Sequence, residues 1–585
     1  MHKALLLGLL LAAALPWVAQ AQDTTGTVVP TIAPREVEIR GTLEVSLPSL
    51  RRQPLVGFNP PPEVPRPPAN RRPFLERYKQ ASSDLPASPL GRPEPPSALG
   101  ASYPPAQGQV ESLVGRYFSR AVNARLQAPL SDNAGFFLRA DYRGSDGHEP
   151  FDDLPDVNAP FDALEGLAGI QTSGRQWAAG FRLGGFVESF DLYGLQPFTL
   201  PSDLSLLSRI ERRGRGGVGA ATLSTLDEAP VEARLDLRYG ATRYEIEDVS
   251  DTASGGDLLL TSNLEHSEQR FEADTDISYP IPAGDAWFEG LVSTATLGDD
   301  FGSYSAFEAG GGLQFEVNAT LSLRLGARLL GVYSDTALPR STAESTRRGY
   351  LAPDVRAEYL PVPGLRLYAH NRPGVEANAM ADVYRQNPYL IPRPELRPTI
   401  RPIDAEVGGN YFAGPVQLAA RGGFQHMPQY LYFEAVSDAG NWGLTSLRYG
   451  EANVFHIGGS ISVVLPGGLH AMAGLTLRNG RLPDDDVDIP YFAPVVGEAT
   501  LSYSFAESRG LLQMTGHFEG TRYVDRRQVR EVGSYIDLDV EASYKVTTLL
   551  GVVFRVENIS GSDNARWEHY PESPVLIGAG MRVSW

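Results

Sequence analysis

The sequence predicts an all-β protein: a transmembrane antiparallel β-barrel of about 22 strands behind a proline-rich, largely irregular N-terminal arm. Three observations predict it. The last fifty residues alternate apolar and polar side chains with a period of two. Beyond the N-terminal leader, no apolar run approaches the roughly 20 residues that a membrane helix needs. From Gln109 onward, tight turns rich in Gly, Pro, Asn and Asp alternate with longer polar connections.

The leader comes first. His2-Lys3 is a short basic region, Ala4 to Leu15 an apolar core, and Ala19-Gln20-Ala21 a small-x-small cleavage site, so residues 1–21 read as a signal peptide. The chain has no cysteine, which excludes a lipid-modified cysteine, disulfides and thiol chemistry.

Residues 22–108 form the arm, expected in the periplasm or inside the barrel lumen. Prolines crowd it, as at Pro60-Pro61-Pro62 and Pro93-Glu94-Pro95-Pro96, removing amide donors and favouring extended polyproline segments. Arg35 to Leu47 alternates briefly and reads as one strand awaiting an edge. The middle of the arm is basic, from Arg51 to Lys79. Opposed to lumen carboxylates such as Asp537, Asp539 and Glu541, that charge offers one way for an arm to fill a pore.

Residues 109–585 read as one barrel domain. Val110 to Tyr117 and Arg120 to Pro129 form a first hairpin, and Gly135 to Arg143 returns from the turn at Ser131 to Ala134. Further tight turns are expected near Ser173-Gly174, Leu226 to Pro230, Pro280 to Gly284, Val317-Asn318 and Val362 to Gly364. They continue at Ala413 to Pro415, Pro466 to Gly468, Ala506 to Gly510 and Thr547-Thr548. Longer connections fall at residues 144–158, 194–205, 248–261, 336–346, 372–399 and 482–489. Short turns on one side and long loops on the other are the asymmetry of an outer-membrane barrel. Strand boundaries are least distinct over residues 205–280.

The wall chemistry supports this. Ile536, Leu538, Val540, Ala542 and Tyr544 alternate with Asp537, Asp539, Glu541, Ser543 and Lys545. Val552, Phe554 and Val556 continue the apolar face, with Val553 the apolar exception on the polar side. The polar face must be a wet lumen, because a charge turned to lipid near the midplane costs about 2–4 kcal/mol. Phe136, Phe137 and Tyr142, and the run Tyr430 to Phe433, suggest interfacial aromatic girdles. A formal net charge of −19 argues against nucleic acid as a partner. Outer-membrane lipid is the expected surrounding.

No catalytic constellation emerges, so no enzyme activity and no cofactor are expected. The nine histidines show no metal-ligand spacing. Asp484-Asp485-Asp486-Val487-Asp488 lacks the glycine and closing glutamate of a calcium loop and reads as a solvated acidic loop. Gly214-Arg215-Gly216-Gly217-Val218-Gly219 mimics a nucleotide loop without the helix that should follow, and reads as strand glycines leaving lumen space. If a ligand binds, the aromatic loop containing Tyr384, Arg385, Asn387 and Tyr389 and the strand top with Tyr430 and Tyr432 are the candidate positions, where rings can stack on a polar ligand.

Three local patterns resemble the barrels of TonB-dependent outer-membrane receptors. Val110 to Leu130 is similar to that family's first hairpin, a Gly-aromatic turn and a strand ending in a small-Pro-Leu step. Asn387-Pro388-Tyr389-Leu390 with Pro394 to Pro398 and Glu406-Val407-Gly408 resembles its mid-barrel loop and strand. Val556-Glu557-Asn558-Ile559, Tyr570-Pro571, Gly578 and terminal Trp585 look like its last hairpin. The resemblance covers residues 109–585 and implies ligand uptake across the outer membrane, with a TonB-type energising protein as partner. Glu36, Val37, Glu38 and Ile39 look like the stretch that would pair with it. The family also places a folded plug before its first strand, and residues 22–108 do not resemble one. The alternative is therefore a plugless barrel that scaffolds a surface or periplasmic partner, with a separate plug or lid protein filling the lumen.

Overall fold

The computed structural model describes residues 106–585, except 153–156, 196–209, 227–228, 249–263, 283, 299–301, 336–345, 392–393, 437–442 and 562–563. The leader, residues 22–105 of the arm and Glu36 to Ile39 lie outside the described residues, and the last two residues of the expected arm, Gln107 and Gly108, belong to the first strand.

The wall opens with β1 (Gln107–Gly115), β2 (Arg120–Ser131), β3 (Ala134–Ser145), β4 (Phe161–Ser173) and β5 (Trp177–Asp191). Five long strands follow: β6 (Ile210–Thr225), β7 (Glu232–Asp248), β8 (Leu264–Ile281), β9 (Gly284–Leu297) and β10 (Ser303–Asn318). Next come β11 (Leu321–Asp335), β12 (Thr346–Val362), β13 (Leu365–Asn371), β14 (Ile403–Ala413), β15 (Val416–Ala435) and β16 (Thr445–Leu465). The last are β17 (Leu469–Leu482), β18 (Val495–Phe505), β19 (Gly510–Glu519), β20 (Tyr535–Lys545), β21 (Leu550–Glu557) and β22 (Leu576–Ser584). Each wall strand pairs antiparallel with the one before it, and β22 pairs back onto β1 with Val583 opposite Val110. The sheet holds 25 strands; three are two- or three-residue additions in loops, which leaves 22 in the wall.

Reciprocal backbone bonds between Gly108 and Trp585, each 3.0 Å, finish the seam. A side chain at Gly108 would collide with the Trp585 ring, so close approach requires glycine there.

The connections alternate as expected, short on one side and long on the other, with residues 372–402 the longest. One tight turn falls at 319–320, two residues beyond Val317-Asn318. The poorly delimited region resolves into three long wall strands: β6, β7 and β8 have 16, 17 and 18 residues, against the roughly 9–11 that cross a bilayer. Their extracellular ends leave the hydrocarbon, and there Arg213, Arg215, Arg243 and Glu245 pair with one another and with Glu211 and Glu265.

Lipid-facing positions on the closing strands are apolar and exposed, among them Ile536, Val552, Phe554, Ile577, Met581 and Val583. Val553 is buried on the lumen side at 2% exposure. Exposed Trp177, Tyr279, Tyr359, Tyr411, Tyr503 and Trp585 lie within a few residues of the short turns or the chain end, forming a girdle at the periplasmic rim. The expected girdle at Tyr430 to Phe433 is not one. There the β15–β16 hairpin extends beyond the wall and both of its faces are covered. Leu431, Phe433, Leu447 and Tyr449 pack into one cluster, Tyr430 and Tyr432 into another with Ile489 and Phe492. A closed, even-stranded antiparallel barrel with an apolar outer band is an outer-membrane barrel.

Candidate functional site: a lid across the barrel mouth

Residues 372–402, between β13 and β14, fold inward at the extracellular end. Within them one short helix, α1 (Met380–Gln386), buries Met380, Val383 and Tyr384. That i, i+3, i+4 spacing places all three on one face. The face packs on Tyr244 of β7, Ala295 and Leu297 of β9, Tyr304 of β10, and Leu431 and Leu447 of β15 and β16. Farther along, Val375 and Ile400 pack on Ala306, Leu330 and Val332. One loop thus meets side chains from β7 through β16. It lies across the mouth as a lid.

Charged and polar groups of the wall hold its backbone. Glu268 of β8 accepts from Met380 N at 2.8 Å and from the Tyr304 hydroxyl at 2.6 Å. That hydroxyl also lies 3.0 Å from the Asn378 carbonyl. Arg270 donates to Ala377 O at 3.0 Å, and Glu308 accepts from Val375 N at 3.1 Å. Arg212 of β6 donates to the carbonyls of Pro388 and Leu390, each at 2.5 Å. On the other side, Tyr449 and Gln429 bond to Arg397 N and Pro398 O, each at 2.7 Å. Thr445 exchanges two backbone bonds of 2.8 Å with Tyr389 and Ile391. Loop backbone taken out of water needs such partners, and wall side chains supply many of them.

The loop before β22 completes the cover. Tyr570 stacks on Tyr389 with ring centroids 3.4 Å apart, Tyr193 meets both edge-on, and its hydroxyl donates to Pro571 O at 2.9 Å. Burial raises the phenol pKa of Tyr193, Tyr389 and Tyr570, so all three stay protonated donors. Burial also lowers the His148 imidazole below its ordinary value, and takes His569 down to about 4, with the Arg530 charge adding to the effect.

The predicted ligand positions fall as follows. Tyr384 is buried, stacked on Tyr244 with centroids 4.0 Å apart, under the Arg212 guanidinium. Asn387 is fully buried, its Oδ1 accepting from Tyr389 N at 3.0 Å. Tyr389 is the stacking partner of Tyr570, and Tyr430 and Tyr432 lie in the cluster with Ile489. Only Arg385 among the six has a largely exposed side chain, paired with Asp382 at 3.3 Å. The loop four belong to one constellation; Tyr430 and Tyr432 belong to another. Arg212, Glu268, Arg270, Tyr304 and Glu308 had no sequence signal, because they sit on three wall strands far from the loop in the chain and only its inward fold unites them.

Below the lid the lumen is charged and largely self-neutralised. Arg328 of β11, 3% exposed, binds Asp354, Glu289 and Glu308, and Glu289 also takes Arg324. At the seam, Glu111, Glu541, Arg555 and Arg582 form a four-charge set from β1, β20, β21 and β22, with Arg582 Nε 2.6 Å from Glu111. Asp485 pairs with Arg526, and Asp486 and Asp488 with Arg481, so the acidic loop is matched by arginines. Among the described residues no cluster of His, Asp and Glu has metal-holding geometry. The space at Gly214 and Gly216 is filled rather than empty: a Cβ there would strike the rings of Tyr244 and Phe186.

No protein-family model matches the chain. No curated protein sequence matches it either. Solved structures do match. The copper transporter OprC superimposes with a TM-score of 0.62 at 11% identity, covering 82% of this chain and 80% of that one. The FrpB iron transporter from Neisseria meningitidis gives 0.62 at 12% identity, covering 83% and 82%. The ferric enterobactin receptor PfeA from Pseudomonas aeruginosa gives 0.60 at 11% identity, covering 83% and 81%. The fold therefore defines a class: an outer-membrane barrel with the architecture of these receptors and transporters. The 22-strand architecture is that of the TonB-dependent receptors to which residues 109–585 show their sequence resemblance.

Proposed function

We propose that the protein is an outer-membrane transporter of the TonB-dependent kind, which binds a ligand at the extracellular mouth and passes it inward. The observation that carries this reading is the lid: a wide barrel whose mouth is crossed by its own loop, held by hydrogen bonds from the wall and by two apolar clusters. A lumen lined by charges of both signs supports passage of a polar solute. The names of the similar structures, a copper transporter, an iron transporter and a ferric enterobactin receptor, support transport as the class of activity. Tyr384, Asn387 and Tyr389 act by setting the lid, and a ligand reaches them only when it lifts. The signal peptide, and an arm at residues 22–108 that carries the pairing stretch Glu36 to Ile39, belong to the same proposal. Among the described residues nothing favours the scaffold alternative or a separate lid protein.

The test is pairing with the energising protein. The full chain and a deletion of residues 36–39 are each mixed with the periplasmic domain of a TonB-type protein, and crosslinking is measured. Crosslinking that depends on residues 36–39 supports the reading; equal yields from both chains, or none from either, reject energised transport through this stretch.

A further inference from the structure

Arg212 is the largest fully buried side chain among the described residues, at 0% exposure. Its guanidinium binds two carbonyls and lies 4.9 Å from the centre of the Tyr384 ring. No carboxylate bonds to it among the described residues; Glu188, on the neighbouring strand, is bonded to the Tyr244 hydroxyl at 2.6 Å. Its Nε has no acceptor among the described residues. Two more donors close by are in the same condition. Among the described residues, the Asn387 amide nitrogen, on a residue 0% exposed, has no partner, and neither has the Tyr570 hydroxyl, on a residue 2% exposed. These groups share one neighbourhood. Asn387 precedes Pro388, whose carbonyl Arg212 holds, and Tyr389 stacks on Tyr570, whose ring lies within reach of the Arg212 charge.

A buried guanidinium without a counter-charge is costly, and so is each buried donor without an acceptor. Water satisfies donors but leaves the charge. One chemical class answers both needs: a small anion. We propose that Arg212, Asn387 and Tyr570 form a buried site for a small anion, of halide or formate size, inside the lid. The Tyr384 ring lies against Arg212 and the Tyr389 ring against Tyr570, and such close packing favours the smallest anions. The anion neutralises Arg212 and ties three parts of the cover together: β6, the loop between β13 and β14, and the loop before β22. It is released when the lid lifts. The inference goes beyond transport and does not rest on it, since binding is read without any transported ligand.

The experiment is hydrogen–deuterium exchange on the purified full chain in detergent micelles, following residues 385–392. Sodium gluconate, whose anion is too large for the site, is compared with sodium bromide at equal ionic strength. In the wild type, bromide at about ten times its dissociation constant should slow exchange about tenfold. Arg212→Met should lose that dependence while keeping the barrel, and Tyr570→Phe, which removes one hydroxyl, should weaken it. An anomalous bromide peak between the three side chains in crystals would support the site directly. Exchange that is the same in both salts for the wild type, or a bromide effect that survives in Arg212→Met and is unchanged in Tyr570→Phe, overturns the proposal.

Discussion

Replacing Glu268 should open the lid without weakening the wall. Glu268 is 3% exposed and accepts two hydrogen bonds, from Met380 N and from the Tyr304 hydroxyl. Glu268→Ala strands Met380 N in a setting that water does not reach while the lid is shut, whereas the Tyr304 hydroxyl still has the Asn378 carbonyl at 3.0 Å. An unmet buried donor costs about 1–3 kcal/mol, so the closed state loses roughly that much. Opening lets Met380 N reach water, and the open population should rise roughly 5-fold to 150-fold. Glu268→Gln retains one acceptor but turns an amide nitrogen toward a donor, so it should fall short of wild type. Amide exchange at Met380 reads the change directly, and bursts of current in a planar bilayer read its effect on the pore. The ladder bonds between β8 and its neighbours are backbone to backbone, so thermal unfolding of the barrel should hardly move. Unchanged exchange at Met380 in Glu268→Ala would refute the latch.

Two further outcomes are expected. Arg582→Ala removes from Glu111, 2% exposed, the guanidinium bonded to it at 2.6 Å while Arg555 stays at 3.6 Å, and should lower barrel stability by about 1–3 kcal/mol in urea titrations; an unmoved midpoint contradicts a structural seam cluster. His148 and His569 bear on pH. Their imidazoles have pKa values below the ordinary 6.5, so the folded lid favours the neutral form. The stability they contribute is present above pH 6.5 and is lost as pH falls toward about 4. Exchange at residues 565–571, corrected for its intrinsic pH dependence, should quicken between pH 7.5 and 4.5; a flat profile excludes the linkage.

The barrel was legible because lipid imposes a rule on every second residue. Ile536 to Tyr544 and Val552 to Val556 obey it, and turn residues such as Pro466-Gly467-Gly468 mark where strands reverse. Legibility fades where the chain leaves the bilayer. Arg213, Arg215, Arg243 and Glu245 face outward on β6 and β7 beyond the hydrocarbon, so alternation no longer separates polar from apolar and strand ends blur. The Tyr430 to Phe433 run misleads for a related reason: its alternating side chains are covered on both faces by loops. The lid itself has only one local signature, the apolar stripe of α1. The groups that hold it lie on β6, β8, β10, β15 and β16, up to 178 residues away in the chain, and no spacing in the sequence reports such a meeting.

The seam carries a consequence for assembly. Glu111 and Arg582, which meet across it, stand 471 positions apart. Until both ends are present, β1 and β22 are open edges with a row of unmet amide and carbonyl groups, the template on which strands add to the wrong chain. Every other wall strand can pair with a neighbour a few residues away, whereas this last junction must close the largest loop the barrel contains. The wall can therefore be nearly complete and still be an open sheet. Its final step is a meeting of distant ends, so the chain depends on having those two edges sheltered until they find each other.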